Sequence, residues 1–245
     1  MNGSVTTKIN AEVIIKEPEG GIRFGTDALL LAHFALPHLK RGLCVDIGTG
    51  SGVIPILCLA AGGGADFVGV EIQKEYAEAA FENAVSNGFG GRFRVVCASA
   101  EETALYCHAG TASAVVTNPP YMRADQGKDN ENAKMSVARR EISGGAETFC
   151  RAAGKCLKSG GKFFAVYRPD RAVNLFCAMR ENRIEPKRIK LVFPSAFKKP
   201  SLLLVEGIKD AGEGLVFEEN LYIYDGGEHK NYSSQMKEIY ACFEK

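Results

Sequence analysis

The sequence predicts an α/β fold, a doubly wound sheet of mostly parallel strands with helices on both faces. Three stretches carry that prediction. Leu43-Cys44-Val45-Asp46-Ile47 is a short apolar run that opens directly into Gly48-Thr49-Gly50-Ser51-Gly52, and Val53 to Ala61 then reads as a buried helix with Pro55 tolerable in its first turn. Strand, glycine loop and helix in that order form the nucleotide-cradling unit of such folds, which are Rossmann-like. Phe67-Val68-Gly69-Val70 is a second strand, ending at Glu71 about twenty residues after the loop, where a carboxylate can take a ribose diol. Ala114-Val115-Val116 is another, and it empties into Asn118-Pro119-Pro120-Tyr121.

Ahead of the glycine loop, Glu12 to Lys16 alternates and is rich in Val and Ile, the pattern of a strand, and Pro18-Glu19-Gly20-Gly21 makes a turn. Gly21 to Asp27 leads into a mostly apolar helical run, Ala28 to Ala35, with Thr26 as its expected N-cap and Asp27 complementing the dipole of the first turn. Beyond Glu71, Gln73 to Asn87 predicts a long helix that turns Tyr76, Ala80, Ala84 and Val85 inward and closes at Gly88. Arg92 to Cys97 is the next strand. Met122 to Arg140 has no clear period and reads as a loop beside the Asn-Pro-Pro-Tyr stretch. Ala146 to Lys158 is an amphipathic helix, Ser159-Gly160-Gly161 a turn, Lys162 to Tyr167 a strand, and Arg168 starts a helix to Glu181. Strands over Arg188 to Phe193 and Ser201 to Glu206 complete the sheet, and a short helix over Ser233 to Phe243 follows. No repeat or linker splits the chain. One domain over 1–245 is expected, with 1–40 supplying a strand and a helix that covers the ligand site, and 212–245 a C-terminal extension.

At 245 residues the chain can bury a sizeable core, and 46% hydrophobic with 24% charged residues is an ordinary globular balance. A net charge of +1 excludes a protein basic all over, while a local basic face remains open. The eight cysteines form no Cys-x-x-Cys pair, so free thiols in a reducing cytoplasm are expected rather than disulfides or metal ligands. The N-terminus has no basic region followed by an apolar one, and no run approaches the ~18 apolar residues of a membrane span. The expectation is a cytoplasmic protein with no membrane partner and no metal.

The glycines depart from Gly-x-Gly-x-x-Gly, because they fall as Gly48-x-Gly50-x-Gly52, and Asp46 stands two residues before the first. A carboxylate there suits a cationic ligand better than a pyrophosphate. S-adenosylmethionine, with its sulfonium and amino groups and no phosphate, matches: Asp46 serves the amino group directly or through water, the loop from Gly48 and Thr49 lies against the ligand, and Glu71, with Ile72 beside it, takes the ribose. Ser99 and Ala100 follow the third strand where the adenine ring would lie, although a plain loop reads almost as well. At Asn118 the chain is stiff, because two prolines donate no hydrogen bonds and fix φ near roughly −65°. The Asn118 amide oxygen and the Pro119 carbonyl suit one NH₂ group, and Tyr121 offers a ring face to a planar group. Adenine N6 and a glutamine amide both fit, and so does the simpler reading of a strand ending at a Pro-Pro turn. Arg123, Arg139 and Arg140 in the loop, and Lys187, Arg188, Lys198 and Lys199 around Phe197, are basic clusters that phosphates would suit; solvated charge is the plainer alternative.

Val45-Asp46-Ile47-Gly48-Thr49-Gly50-Ser51-Gly52, Glu71 and Asn118-Pro119-Pro120-Tyr121 together resemble the class I S-adenosylmethionine-dependent methyltransferases that act on exocyclic or amide nitrogens. Ile22-Arg23-Phe24-Gly25-Thr26-Asp27-Ala28-Leu29-Leu30-Leu31-Ala32, Ala138-Arg139-Arg140-Glu141-Ile142 and Ile184-Glu185-Pro186-Lys187-Arg188 narrow this. They are similar to the bacterial tRNA1(Val) adenine-37 N6-methyltransferase family over nearly the whole chain. The resemblance implies about seven strands with one reversed near the end, a cofactor pocket at the C-terminal strand edges, and Phe24, Gly25, Thr26 and Asp27 lining the methionine end of the cofactor. It also implies a tRNA partner and N6 methylation of adenine, with Asn118, Pro119, Pro120 and Tyr121 as the catalytic group. Where many relatives carry an acid, this chain has Ser99. A protein-glutamine methyltransferase and a non-catalytic RNA-binding scaffold are the alternatives, and monomer and homodimer both stay open.

Overall fold

The computed structural model describes residues 4–21, 23–119, 145–226 and 231–244. A mixed, mostly parallel sheet organises it. Its strands are β3 (Leu43–Ile47), β4 (Asp66–Glu71), β5 (Phe93–Cys97), β6 (Ala112–Thr117), β7 (Leu157–Tyr167), β8 (Ile184–Phe193) and β9 (Leu202–Lys209), in the spatial order β5-β4-β3-β6-β7-β9-β8. The first five run parallel, and β9 alone of the seven runs antiparallel to its neighbours. This is the expected Rossmann-like arrangement, with two additions: the two-residue strands β10 (Val216–Phe217) and β11 (Leu221–Tyr222) both pair with β8. Ahead of the sheet, β1 (Ser4–Lys8) and β2 (Ile14–Pro18) form an antiparallel hairpin, and behind it β12 (Tyr224–Asp225) pairs with β13 (Asn231–Tyr232).

Both faces of the sheet are buried, so neighbouring residues of one strand feed different cores. Cys44, Ala114, Val116 and Phe164 face α1 (Thr26–Ala35), α2 (Val53–Ala60) and α6 (Ser234–Phe243), while Val45, Val115, Phe163 and Ala165 face α4 (Ala146–Cys156) and α5 (Ala172–Glu181). That is why the strands read as continuous apolar runs. Helix α3 (Lys74–Ser86) packs beside β2 and β5. Among the described residues no helix is long and apolar enough to cross a membrane.

Several boundaries differ from expectation for identifiable reasons. Helix α1 is capped at Gly25, in extended conformation, and Thr26 is its first helical residue. Helix α4 stops at Cys156 because the chain turns extended at Leu157, and Ser159-Gly160-Gly161 lies within β7 at an irregularity in its pairing with β6. Val85 is 54% exposed, since α3 turns Tyr76, Ala80, Asn83 and Ala84 inward instead. Helix α6 likewise begins one residue later than expected, at Ser234, because Ser233 caps it with its side chain accepting from the Met236 N–H.

Candidate functional site

The strand order reverses at β3, whose neighbours are β4 on one side and β6 on the other. In open α/β sheets the crevice at that point is the ligand site. A cavity of about 390 Å³ lies there, walled by the loops after β3, β4 and β6 and by the segment leading into α1.

The glycine loop is pinned rather than loose. The Gly48 and Thr49 N–H groups both donate to the Val70 carbonyl, at 2.8 and 3.0 Å. Gly48, Gly50 and Gly52 all have φ in the left-handed region, and a Cβ on Gly52 would stand 2.7 Å from the Phe93 ring. Glu71 closes the far wall. Its carboxylate accepts from the Gly50 N–H at 3.0 Å and from the Gln73 N–H at 2.9 Å, leaving further lone pairs toward the cavity. Asp46 sits beneath the loop, fully buried, accepting from the Thr49 hydroxyl at 2.7 Å. Its other oxygen has no partner among the described residues, and burial pushes its carboxyl up to about 7.

The Asn118 side chain is oriented by α1. Its Nδ2 donates to Asp27 Oδ2 at 3.1 Å, which leaves the amide oxygen as an acceptor at the cavity wall beside Pro119. A tether across 91 residues of chain therefore sets the amide's direction.

Of the residues expected to hold the cofactor, Phe24, Gly25, Asp27, Gly48, Thr49, Gly50, Glu71, Ile72, Ala100 and Asn118 line the cavity. Four do not. Asp46 lies behind Thr49, Gly52 behind the loop against Phe93, and Thr26 meets Tyr240 of α6. Ser99 turns into its own loop, where its N–H donates to Glu102 and its hydroxyl accepts from the Glu101 N–H; Ala98 lines the wall instead. Pro120, Tyr121, Arg123, Arg139 and Arg140 lie outside the described residues.

The second basic cluster divides. Lys187 donates to the Gly212 and Glu213 carbonyls. Arg188 pairs with Glu206 at 2.7 Å and Glu218 at 2.8 Å, and its guanidinium lies 4.7 Å from the Phe34 ring centre. Both are spent inside the fold, contrary to the expectation that they face a phosphate. Phe197, 81% exposed, stays in solvent with Lys198 and Lys199.

One cavity acid escaped the sequence reading. Glu17 is 2% exposed and lines the cavity; one oxygen accepts from the Phe24 N–H at 2.8 Å and faces the Ser51 hydroxyl at 3.5 Å, while the other has no partner among the described residues. Burial raises its carboxyl above the ordinary range. Asn83 of α3 holds it in place, since this buried amide accepts from the Lys16 N–H at 2.9 Å and donates to the Lys16 carbonyl at 2.8 Å and the Ser51 carbonyl at 2.9 Å. The signal was present: Val13 just ahead of β2 and Ile15 and Glu17 within it alternate along the chain and are all three buried, so a charge stands on an apolar register.

The expected cofactor fits this donor set. A carboxylate with backbone-held oxygens suits a ribose diol, and an unpartnered buried carboxylate oxygen suits a positive charge. Residues 19–181 match the family model described as methyltransferase small domain. The tRNA1(Val) (adenine(37)-N6)-methyltransferase of Pedobacter heparinus is 27% identical over 224 residues, covering 91% of this chain and 92% of that protein. A release factor glutamine methyltransferase of Agrobacterium fabrum is 31% identical over 106 residues, 40% of this chain and 35% of that protein. Among solved structures, one described as a predicted O-methyltransferase from Agrobacterium tumefaciens superposes with a TM-score of 0.72 at 22% identity, covering 89% of this chain and 97% of that one.

Proposed function

The chain belongs to the methyltransferase small domain family, and on that premise we propose that it methylates the exocyclic N6 of an adenine in tRNA, with adenine 37 of tRNA1(Val) as the target and S-adenosylmethionine as the donor. The observation that carries the reading is the Asn118 amide, turned by Asp27 so that its oxygen stands at the cavity wall beside Pro119. The near full-length similarity to a protein named for that reaction supports the substrate.

When bound, S-adenosylmethionine supplies the electrophilic methyl carbon. Glu71 accepts from its ribose hydroxyls, and Ala98, Ala100 and Ile72 offer the adenine an apolar wall. The amine of the target base is a poor nucleophile because its lone pair is delocalised into the ring. Asn118 Oδ1 and the Pro119 carbonyl accept from that amine and hold its lone pair toward the cavity, so orientation and fixed dipoles lower the barrier. No base of shifted pKa is required, because the proton leaves after the methyl group arrives. Tyr121 supplies the stacking face for a base that is already single-stranded in an anticodon loop. Phe197, Lys198 and Lys199, with Arg123, Arg139 and Arg140, hold the surrounding RNA, and the tRNA partner implies a cytoplasmic enzyme.

A glutamine amide presents the same NH₂ group, and the release factor methyltransferase similarity favours that second reading over its shorter span. Labelled S-adenosylmethionine, offered with total bacterial tRNA, with RNA free of tRNA and with release factor, separates them. N6-methyladenosine in the tRNA digest alone supports the adenine reading; label in release factor replaces it. Asn118→Ala is expected to cut transfer by about 10²-fold or more while retaining cofactor binding, and full activity in that variant sinks the mechanism.

A further inference from the structure

Two carboxylates near the glycine loop keep an oxygen without a partner, Asp46 and Glu17. They are not equivalent. Asp46 is sealed beneath Thr49 and does not line the cavity, whereas Glu17 does. A buried acceptor left unmade is costly, and more so when it is charged, so an unpaired oxygen on a residue of the cavity wall calls for a ligand to complete it. The position is also built: the Phe24 N–H fixes one Glu17 oxygen, and Asn83 clamps the preceding residue to the glycine loop. Arg23 lines the same cavity and lies close enough for its charge to favour the ionised form of Glu17. A carboxylate and a guanidinium lining one cavity match a zwitterion better than a simple cation.

We propose that Glu17 and Arg23 seat the amino-acid end of the cofactor, the open Glu17 oxygen accepting from its ammonium and Arg23 facing its carboxylate. This rests on the reading that the cavity takes S-adenosylmethionine. It gives Glu17 the direct contact with the amino group, which the sequence alone gave to Asp46 either directly or through water, and leaves Asp46 to hold the loop through Thr49. Glu71, whose oxygens are both held by backbone N–H groups, keeps the ribose.

The test is calorimetric and uses two ligands. S-adenosylhomocysteine carries the amino-acid end; 5′-methylthioadenosine shares the adenine, ribose and sulfur and lacks it. Glu17→Gln preserves shape and the acceptor for the Phe24 N–H. It is expected to weaken S-adenosylhomocysteine roughly tenfold or more and to change 5′-methylthioadenosine by less than about twofold, the second ligand also reporting that the variant is folded. Arg23→Gln does the same more weakly, because Arg23 is exposed. Equal loss of both ligands, or loss of neither, overturns the assignment. Wild-type protein that binds neither ligand overturns the reading of the cavity itself, and this inference with it.

Discussion

Glu17 on β2 and Glu206 on β9 are both carboxylates removed from water, at 2% and 4% exposure, and they are treated in opposite ways. Glu206 is met by two cations and a neutral ring: Lys162 meets one oxygen and Arg188 at 2.7 Å the other, while His38, whose imidazole burial keeps neutral, lies 3.7 Å away. Glu17 receives a backbone N–H and a distant hydroxyl on one oxygen and nothing described on the other. The first arrangement is complete within the chain and holds strands together. The second is complete only with something added. An acid buried with its countercharges serves the fold; one buried with an unpaired oxygen beside a cavity is, on the inference above, kept for a ligand.

Removing Glu206 should do the most damage. Glu206→Ala leaves Lys162 partly buried without an acid and Arg188 with Glu218 alone, which costs about 2–4 kcal/mol, the low end because both cations keep some water. A melting curve should fall by roughly 5–12 °C; an unchanged midpoint would erase the contrast. Asp46→Asn should act in the other direction. The folded-state carboxyl at about 7 lies above its ordinary 3.8, so the folded protein binds the proton more tightly than the unfolded chain. Stability therefore declines as pH climbs between those values and is level above them. The asparagine variant should melt several degrees (about 3–8 °C) above wild type at pH 8, with the gap closing toward pH 4. Glu17→Gln should show the same sign, a melting temperature above wild type at neutral pH with the gap closing toward pH 4, because burial raises its carboxyl. A fall in melting temperature of the size seen for Glu206→Ala would make Glu17 a fold residue after all.

The contrast extends to the bases, with the smallest effect. Lys198→Ala with Lys199→Ala should weaken tRNA binding a few-fold and reduce the slope of log affinity against log salt by about 1 per lysine. Lys187→Ala, whose ammonium is already held by the Gly212 and Glu213 carbonyls, should leave that slope unchanged. A filter-binding series across salt concentrations reads both.

The parts of the site that were legible are those built by neighbours in sequence. The glycine loop, its departure from dinucleotide spacing and Glu71 at the end of the next strand all lie within a strand, a loop and a strand, and the structure brings loop and acid together through the Gly50 N–H. Arg188 could not be read this way. It faces Glu206 across a cross-strand pair, and that pairing exists because β9 inserts beside β8, a register that no local pattern contains. A basic residue among basic residues looks like a phosphate contact until its partner strand is known. Asp46 and Ser99 stand off the cavity wall for local reasons: one side-chain hydrogen bond turns Asp46 to Thr49, and a tight loop turns Ser99 to Glu101 and Glu102. Glu17 was legible and overlooked, since a lone charge in an alternating strand is ordinarily solvated and only its alternation with Val13 and Ile15 marks it.

The place of β9 has a consequence for the protein's synthesis. It lies between β7 and β8 yet is made after both, so a growing chain that has reached Phe193 carries two strands that cannot yet join. Until Lys209 has left the ribosome, which takes seconds at about 5–20 residues per second, the apolar edge of β7 is an open template for another chain. Translational pauses after Phe193 and before Lys209 has cleared the ribosome would prolong that exposure, and pauses before Phe193 would not. The yield of folded protein in a cell is then governed by the tempo of one short stretch of message, independently of how stable the finished sheet becomes.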